Sequence, residues 1–146
     1  MSTTDQASGL RQWVGQATAR RTLVVVGLPG TTAYYSQWVL DLLADWADQG
    51  QRWVGAPDTW RIAPVQINSP HVTTLIDQQP RWALWVGSDL DAFRRGFRVL
   101  MQLRNLGGPG RLLAVHPPDM SRRGLLNNLQ QAAWHYLGVE LLVMAR

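Results

Sequence analysis

Residues 81–91, RWALWVGSDLD, constrain the fold more than any other stretch of the chain. Five consecutive apolar residues, 82–86, run into a polar Gly-Ser-Asp exit. A strand with one face in water alternates apolar and polar residues, whereas a strand covered on both faces carries an unbroken apolar run. We therefore expect residues 82–86 to form the central strand of a parallel sheet that lies between two layers of helices.

The rest of the chain alternates short apolar runs with amphipathic stretches. The predicted strands lie at 22–26, 64–68, 82–86, 111–116 and 139–145, and the predicted helices at 4–19, 31–49, 69–79, 91–106 and 121–138. This alternation indicates a parallel sheet with right-handed crossovers. The predicted fold class is α/β: a single domain over residues 1–146, built on a doubly wound five-stranded parallel sheet. An extra helix precedes the sheet, and no fifth helix follows the last strand.

Local signals predict how these elements begin and which sides they bury. Thr31 or Thr32, Ser69 and Ser121 are placed to cap three helices. The strand at 64–68 is expected at a sheet edge because proline begins it. Apolar spacing predicts that the helix at 91–106 buries Phe93, Phe97, Leu100 and Met101. The same spacing predicts that the last helix buries Leu125, Leu129, Ala132, Ala133 and either Tyr136 or Leu137.

The composition excludes several classes of site. The chain has no cysteine, which excludes disulfides, thiolate zinc sites and cysteine nucleophiles. Its three histidines lack the spacing of metal ligands, so we expect neither a metal nor a cofactor. No apolar run approaches the roughly 18 residues that span a bilayer, so no membrane insertion is expected. The first 12 residues lack the layout of a secretory signal, which makes the cytoplasm the expected location.

From residue 64 onward the pattern resembles the receiver domains of response regulators. The shared features are a short strand, a two-turn helix, Pro80 leading into the central apolar run, and an acidic exit. A later strand ends near Pro117, and a helix closes on Gly138 before the final strand. The resemblance implies a flavodoxin-like fold with the strand order 2-1-3-4-5 and a role in bacterial signalling.

The chain departs from receivers at the positions that carry their chemistry. Receivers have paired acids after the first strand, where this chain has Gly-Leu-Pro at 27–29. The phosphorylated aspartate would fall at Ser88 or Asp89, and the lysine after the last strand is absent. One acid at the central exit does not hold the divalent cation that such chemistry needs. The resemblance is therefore to a pseudo-receiver: a protein-interaction or scaffold module that is not an enzyme.

A glycine-rich turn follows the first predicted strand. Gly27, Gly30, Thr31 and Thr32 lie between a strand and a helix, which is where phosphate-binding loops occur. The turn lacks the lysine of a P-loop, so nucleotide hydrolysis is not expected. Two interpretations stay open, namely a ligand-binding loop and a tight strand-to-helix turn.

Arginines begin two of the predicted helices. All 14 basic residues are arginine and the net charge is +4, which is compatible with an anionic partner. The pairs Arg94/Arg95 and Arg122/Arg123 both lie at the predicted carboxyl edge of the sheet, where open α/β folds bind ligands. Cations at helix N-termini oppose the helix dipole, so a negative group is expected to offset them. That group is either an internal acid such as Asp89 or a small anionic ligand or nucleotide.

Eight tryptophans are more than a core of this size needs. Trp53 and Trp60 fall in a loop-like segment, and Trp134 and Tyr136 lie on the last predicted helix. These side chains either fill the core or form a docking surface, where tryptophan and tyrosine are enriched. We expect a protein partner or a homodimer, with binding of a small anionic ligand as the alternative. The modest charge and the lack of a basic stripe give no indication of nucleic-acid binding.

Overall fold

A computed structural model describes residues 21–144 of the chain. Its strands are β1 (Arg21–Val26), β2 (Trp60–Pro64), β3 (Trp82–Trp85), β4 (Arg111–Val115) and β5 (Glu140–Leu142). They form one all-parallel sheet in the order β2-β1-β3-β4-β5. The predicted α/β fold class and strand order are thus confirmed. The helix predicted at 4–19 lies outside the described residues.

Helices cover both faces of this sheet. They are α1 (Ala33–Asp48), α2 (Val72–Gln78), α3 (Ala92–Asn105) and α4 (Asn127–Ala132), and short 3-10 turns at Arg52–Val54 and Pro57–Thr59 precede β2. A π-helical turn, Ala133–Leu137, continues α4 to Gly138, whose left-handed φ of 66° ends the helical run. No helix within residues 21–144 is long and apolar enough to cross a membrane.

The central strand is β3, as the unbroken apolar run predicted. All four of its residues are buried, and it pairs with β1 on one side and β4 on the other. Leu84 belongs to the apolar cluster on the face that α3 and α4 cover. Ala83 and Trp85 belong to the cluster on the opposite face, which α1 covers. The strand is therefore dry on both sides.

The second strand begins four residues earlier than predicted, at Trp60 rather than at residue 64. Trp60 pairs with Arg21 and Ile62 with Leu23. This pairing with β1 defines the strand from Trp60 to Pro64, and the chain leaves the sheet after Val65. The prediction of an edge strand is confirmed by the sheet order.

The buried side of α3 is rotated from its predicted position. Phe93 and Met101 are 36% and 38% exposed, and the buried residues are instead Ala92, Gly96, Val99, Leu100 and Leu103. A Cβ at Gly96 would lie 3.1 Å from Leu129 Cδ2, so small residues let the helix pack closely against its neighbours. The aromatic rings, which would not fit there, lie at the margin. The spacing of large apolar residues does not predict this buried side, because small residues such as Ala92 and Gly96 form part of it.

The predicted side-chain caps of the helices are wrong. Thr32 is the residue before α1, but its side chain makes no capping hydrogen bond. The Oγ of Ser121 accepts the N–H of Arg123, and non-helical angles at Arg123 and Gly124 separate that turn from α4. Ser69 likewise bonds to the N–H of His71, one residue before α2 begins. The two serine hydroxyls stabilise turns that precede the helices.

Candidate functional site

A cleft of about 410 Å³ opens at the carboxyl end of the strands, where β1 and β2 exit beside α3. We call it the arginine cleft, and its lining residues are Gly27, Leu28, Gln66, Ile67, Asp91, Arg94, Arg95, Arg98, Val99 and Gln102. This edge is where open α/β folds bind ligands. Three of the predicted ligand-binding residues, Gly27, Arg94 and Arg95, therefore line one cavity.

Gly27 shapes the wall of the cleft through its backbone. Its φ is +92°, and a Cβ there would lie 2.9 Å from the carbonyl oxygen of Trp85. Only glycine lets the β1 exit pass so close to β3. The side chain of Gln66 donates to the carbonyl of Leu28 at 3.4 Å, which links the exits of β1 and β2.

The other predicted residues of the glycine-rich turn, Gly30, Thr31 and Thr32, lead directly into α1. A Cβ at Gly30 would lie 2.6 Å from the ring of Tyr35, so this glycine makes room for an aromatic side chain. Thr31 and Thr32 are exposed, and neither lines the arginine cleft. Of the two interpretations of residues 27–32, the tight turn accounts for Gly30, and of the four predicted ligand-binding residues in this turn Gly27 alone lines the cleft.

Asp89 holds Arg95 against one side of the cleft. The Arg95 guanidinium donates Nη2 to Asp89 Oδ1 at 2.5 Å and Nη1 to Oδ2 at 3.2 Å. This hydrogen bond keeps the pKa of Asp89 below its ordinary value and raises the pKa of Arg95. The pair is therefore fully ionised at neutral pH, and the internal acid offsets Arg95 as one of the sequence interpretations expected.

The other two arginines of the cleft are less compensated. Arg94 lies 3.6 Å from Asp91, with both side chains about 70% exposed, so solvent weakens that pair. Within residues 21–144 Arg98 forms no ion pair. Three arginines face two carboxylates, which leaves the cleft with a net positive charge.

The second arginine pair does not join the first. Arg123 is exposed and does not line the arginine cleft. The side chain of Arg122 lies outside what the structure describes. Arg98 does line the cleft with Arg94, and its spacing of four from Arg94 places both side chains on one side of a helix.

An aromatic surface lies on α3 and the helical run after α4. We define it by Phe93, Phe97, Trp134, His135 and Tyr136. Phe93 stacks on Phe97 at 6.4 Å between ring centroids, and Tyr136 meets Phe97 edge-on at 6.3 Å. Tyr136 and Trp134 are 69% and 65% exposed, so the question left open by the sequence is answered: Leu137 faces inward and Tyr136 outward.

Two hollows flank this aromatic surface. One of about 510 Å³ is lined by Phe93, Asn128, Gln131, Ala132, His135 and Tyr136. The other, of about 420 Å³, is lined by Gln130, Gln131, Trp134, Glu140 and Leu141. Gln131 borders both hollows, which lie on the two flanks of the helical run, with Tyr136 on the flank next to α3 and Trp134 on the flank next to β5.

Trp53 and Trp60 lie at the opposite edge of the sheet. Trp60 is only 6% exposed, its Nε1 donates to the carbonyl of Val54 at 2.8 Å, and the Arg21 guanidinium lies 4.0 Å from its ring centroid. Trp53 is 40% exposed and contacts Trp60 edge-on. Five strands spaced by about 4.8 Å separate the two sheet edges by about 19 Å. The four predicted partner-binding residues therefore fall into two separate regions.

A further cavity, of about 470 Å³, opens at the amino ends of the strands. It is mostly apolar, with Leu23, Leu113 and Met144 among its lining residues, and Arg21 lies on its border.

No cluster of metal-ligating side chains appears in the described range. Among residues 21–144 no three His, Asp or Glu side chains are grouped so as to hold a metal ion. Comparison of the sequence with protein-family models and with curated proteins finds no match. The functional argument therefore depends on the geometry of the arginine cleft and of the aromatic surface.

Proposed function

We propose that the protein is a non-catalytic interaction module of the pseudo-receiver type, which docks a protein partner or a second copy of itself through the aromatic surface. The observation that carries the proposal is the exposure of Trp134 and Tyr136, at 65% and 69%, beside a stacked pair of phenylalanines. Large rings left in water are typical of binding surfaces.

The surroundings of these rings favour a protein partner over a small ligand. The two hollows are shallow and are bordered by the side-chain amides of Asn128, Gln130 and Gln131, with Glu140 as the carboxylate at the rim. Aromatic residues at the centre and hydrogen-bonding groups at the rim are the usual composition of a protein interface. Charged residues are depleted at such centres, as they are here.

The edge strand β5 is protected against pairing with a further strand, and this indicates how a partner docks. An unpaired edge strand is a template for adding another strand, and proteins cover or shorten such edges. Here β5 has three residues, and the side chain of Gln130 donates to the carbonyl of Leu141 at 2.9 Å. We therefore expect the partner to bind the side chains of the aromatic surface, without extending the sheet.

The pseudo-receiver type is supported by the strand order and by the residues at the carboxyl edge. Gly27 occupies the exit of β1, where receivers carry acids, and Asp89 is engaged by Arg95. A carboxylate held by an arginine in this way is poorly placed to share a divalent cation. This arrangement agrees with a domain that signals by binding.

The test compares two sets of exposed aromatic residues. Trp134 and Tyr136 are replaced together by alanine, and Tyr34→Ala serves as the control, because Tyr34 is 66% exposed on α1 and lies outside the aromatic surface. Sedimentation velocity from about 1 to 200 μM measures self-association, and a photo-crosslinking amino acid at position 136 captures a partner in cells.

We expect association or cross-linking that the double variant abolishes and that Tyr34→Ala retains. A protein that stays monomeric and forms no specific cross-link at position 136 would refute the proposal. Equal loss in the control would also refute it, because the effect would then come from general surface hydrophobicity.

A further inference from the structure

We propose that the arginine cleft binds a small molecule that carries a phosphate ester, with Arg94 and Arg98 as the residues that hold the phosphate. This site is separate from the aromatic surface, so it does not depend on the proposed docking function. Its geometry supplies the charge, the shape and the neutral groups that such a ligand requires.

The charge comes from two arginines on the same side of α3. Arg94 and Arg98 are four residues apart, so their side chains are neighbours on the helix surface. Arg98 has no ion pair within the described residues, and Arg94 has only the long, solvent-exposed contact with Asp91. A phosphate ester carries close to two negative charges near neutral pH and offers three acceptor oxygens. Two guanidinium groups match it better than they match one carboxylate.

Arg95 plays a different part because Asp89 already engages two of its nitrogens. The pair fixes that side of the cleft, and Asp89 offsets the charge of Arg95 there. Arg94 and Arg98 are the cleft arginines whose charge no hydrogen-bonded carboxylate offsets. We therefore assign Arg95 as a positioning residue and Arg94 and Arg98 as the contacts of the phosphate.

The rest of the cleft has room and contacts for the part of the ligand that is esterified to the phosphate. Leu28, Ile67 and Val99 give the cleft an apolar side, and Gln66 and Gln102 add amide groups. The volume of about 410 Å³ is within the range of about 300–1,000 Å³ that small-molecule sites occupy. Inorganic phosphate alone would leave most of this space unfilled, which favours an ester with a small polar body such as a sugar.

The test titrates the protein with ribose 5-phosphate, inorganic phosphate and ribose at constant ionic strength, with two-dimensional NMR or calorimetry as the measurement. The variants are Arg94→Gln and Arg98→Gln. Arg104→Gln is the matched control because Arg104 is an exposed arginine in the last turn of the same helix and outside the cleft. Circular dichroism of each variant checks that the fold is retained.

We expect ribose 5-phosphate to bind with a Kd of about 1 mM or tighter, more tightly than inorganic phosphate, and ribose alone not to bind. Each cleft variant should lose about tenfold in affinity, whereas Arg104→Gln should change it by less than about twofold. Equal losses in all three variants would overturn the proposal, since binding would then follow net charge alone. Absence of binding by ribose 5-phosphate at about 10 mM, a concentration that would nearly saturate a site of that Kd, would overturn it as well. Equal affinity for inorganic phosphate would overturn the assignment of an ester.

Discussion

Alanine substitution at Gly27, compared with the same substitution at Gly50, measures the close approach of β1 and β3 as a difference in the free energy of unfolding. Both have nearly the same backbone angle, φ of +92° and +93°, so alanine pays a similar conformational cost of about 1–2 kcal/mol at either position. The positions differ in space: a Cβ at Gly27 meets a backbone oxygen at 2.9 Å, whereas one at Gly50 meets nothing within 4 Å. Backbone does not move aside as a flexible side chain does. Crowding should therefore add about 1–3 kcal/mol for Gly27→Ala alone.

We expect Gly27→Ala to lower the free energy of unfolding by about 2–5 kcal/mol and Gly50→Ala by about 1–2 kcal/mol. The assay is urea unfolding followed by tryptophan fluorescence. With a slope of about 2 kcal/mol per molar urea, the two midpoints should differ by about 1 M. Indistinguishable midpoints would refute the close packing of the β1 exit on β3, and with it the shape assigned to the wall of the arginine cleft.

Two further predictions concern a pair of charges and a pair of indoles. Because Arg95 lowers the pKa of Asp89, ionised Asp89 adds stability above its ordinary pKa of 3.8, and this stability is lost as the pH falls through the lowered value. Asp89→Asn should remove that acid-range dependence, and an NMR titration of the Asp89 carboxyl that shows an unshifted pKa would contradict the ion pair. Trp60→Phe deletes the buried bond to Val54 and should cost about 1–3 kcal/mol of unfolding free energy. Trp134→Phe, at an exposed position, should change it by under about 0.5 kcal/mol, and equal effects would contradict the burial of Trp60.

The sequence predicts the sheet better than the surfaces, and the reason is physical. An unbroken apolar run such as residues 82–86 is stable as a strand only when both of its faces are buried away from water. Its central position in the sheet therefore follows from the hydrophobic effect on this run alone. The start of β2 was harder to predict. Trp60 and Ile62 are isolated apolar residues beside turn-forming ones, and their pairing with β1 is a contact between distant parts of the chain.

The candidate sites were predictable only in part for the same reason. Residue type and spacing indicate that arginines gather at the carboxyl edge, but not which of them an acid engages. Asp89 is six residues before Arg95, and whether the two meet depends on how the exit of β3 turns into α3. The split of Trp60 and Trp134 between opposite edges likewise follows from the strand order and from no local pattern.

Both proposed surfaces include residues of α3, and these residues lie on opposite sides of the stripe that the helix buries. At about 100° per residue, Ala92 and Gly96 point toward the sheet, Phe93 and Phe97 fall on one side of that stripe, and Arg98 falls on the other. The two surfaces share the helix and no side chain. Arg98→Gln should therefore leave association through the aromatic surface unchanged, and the Trp134/Tyr136 double variant should leave phosphate binding unchanged. Loss of both kinds of binding in a variant whose circular dichroism is unchanged would contradict the separation of the two surfaces.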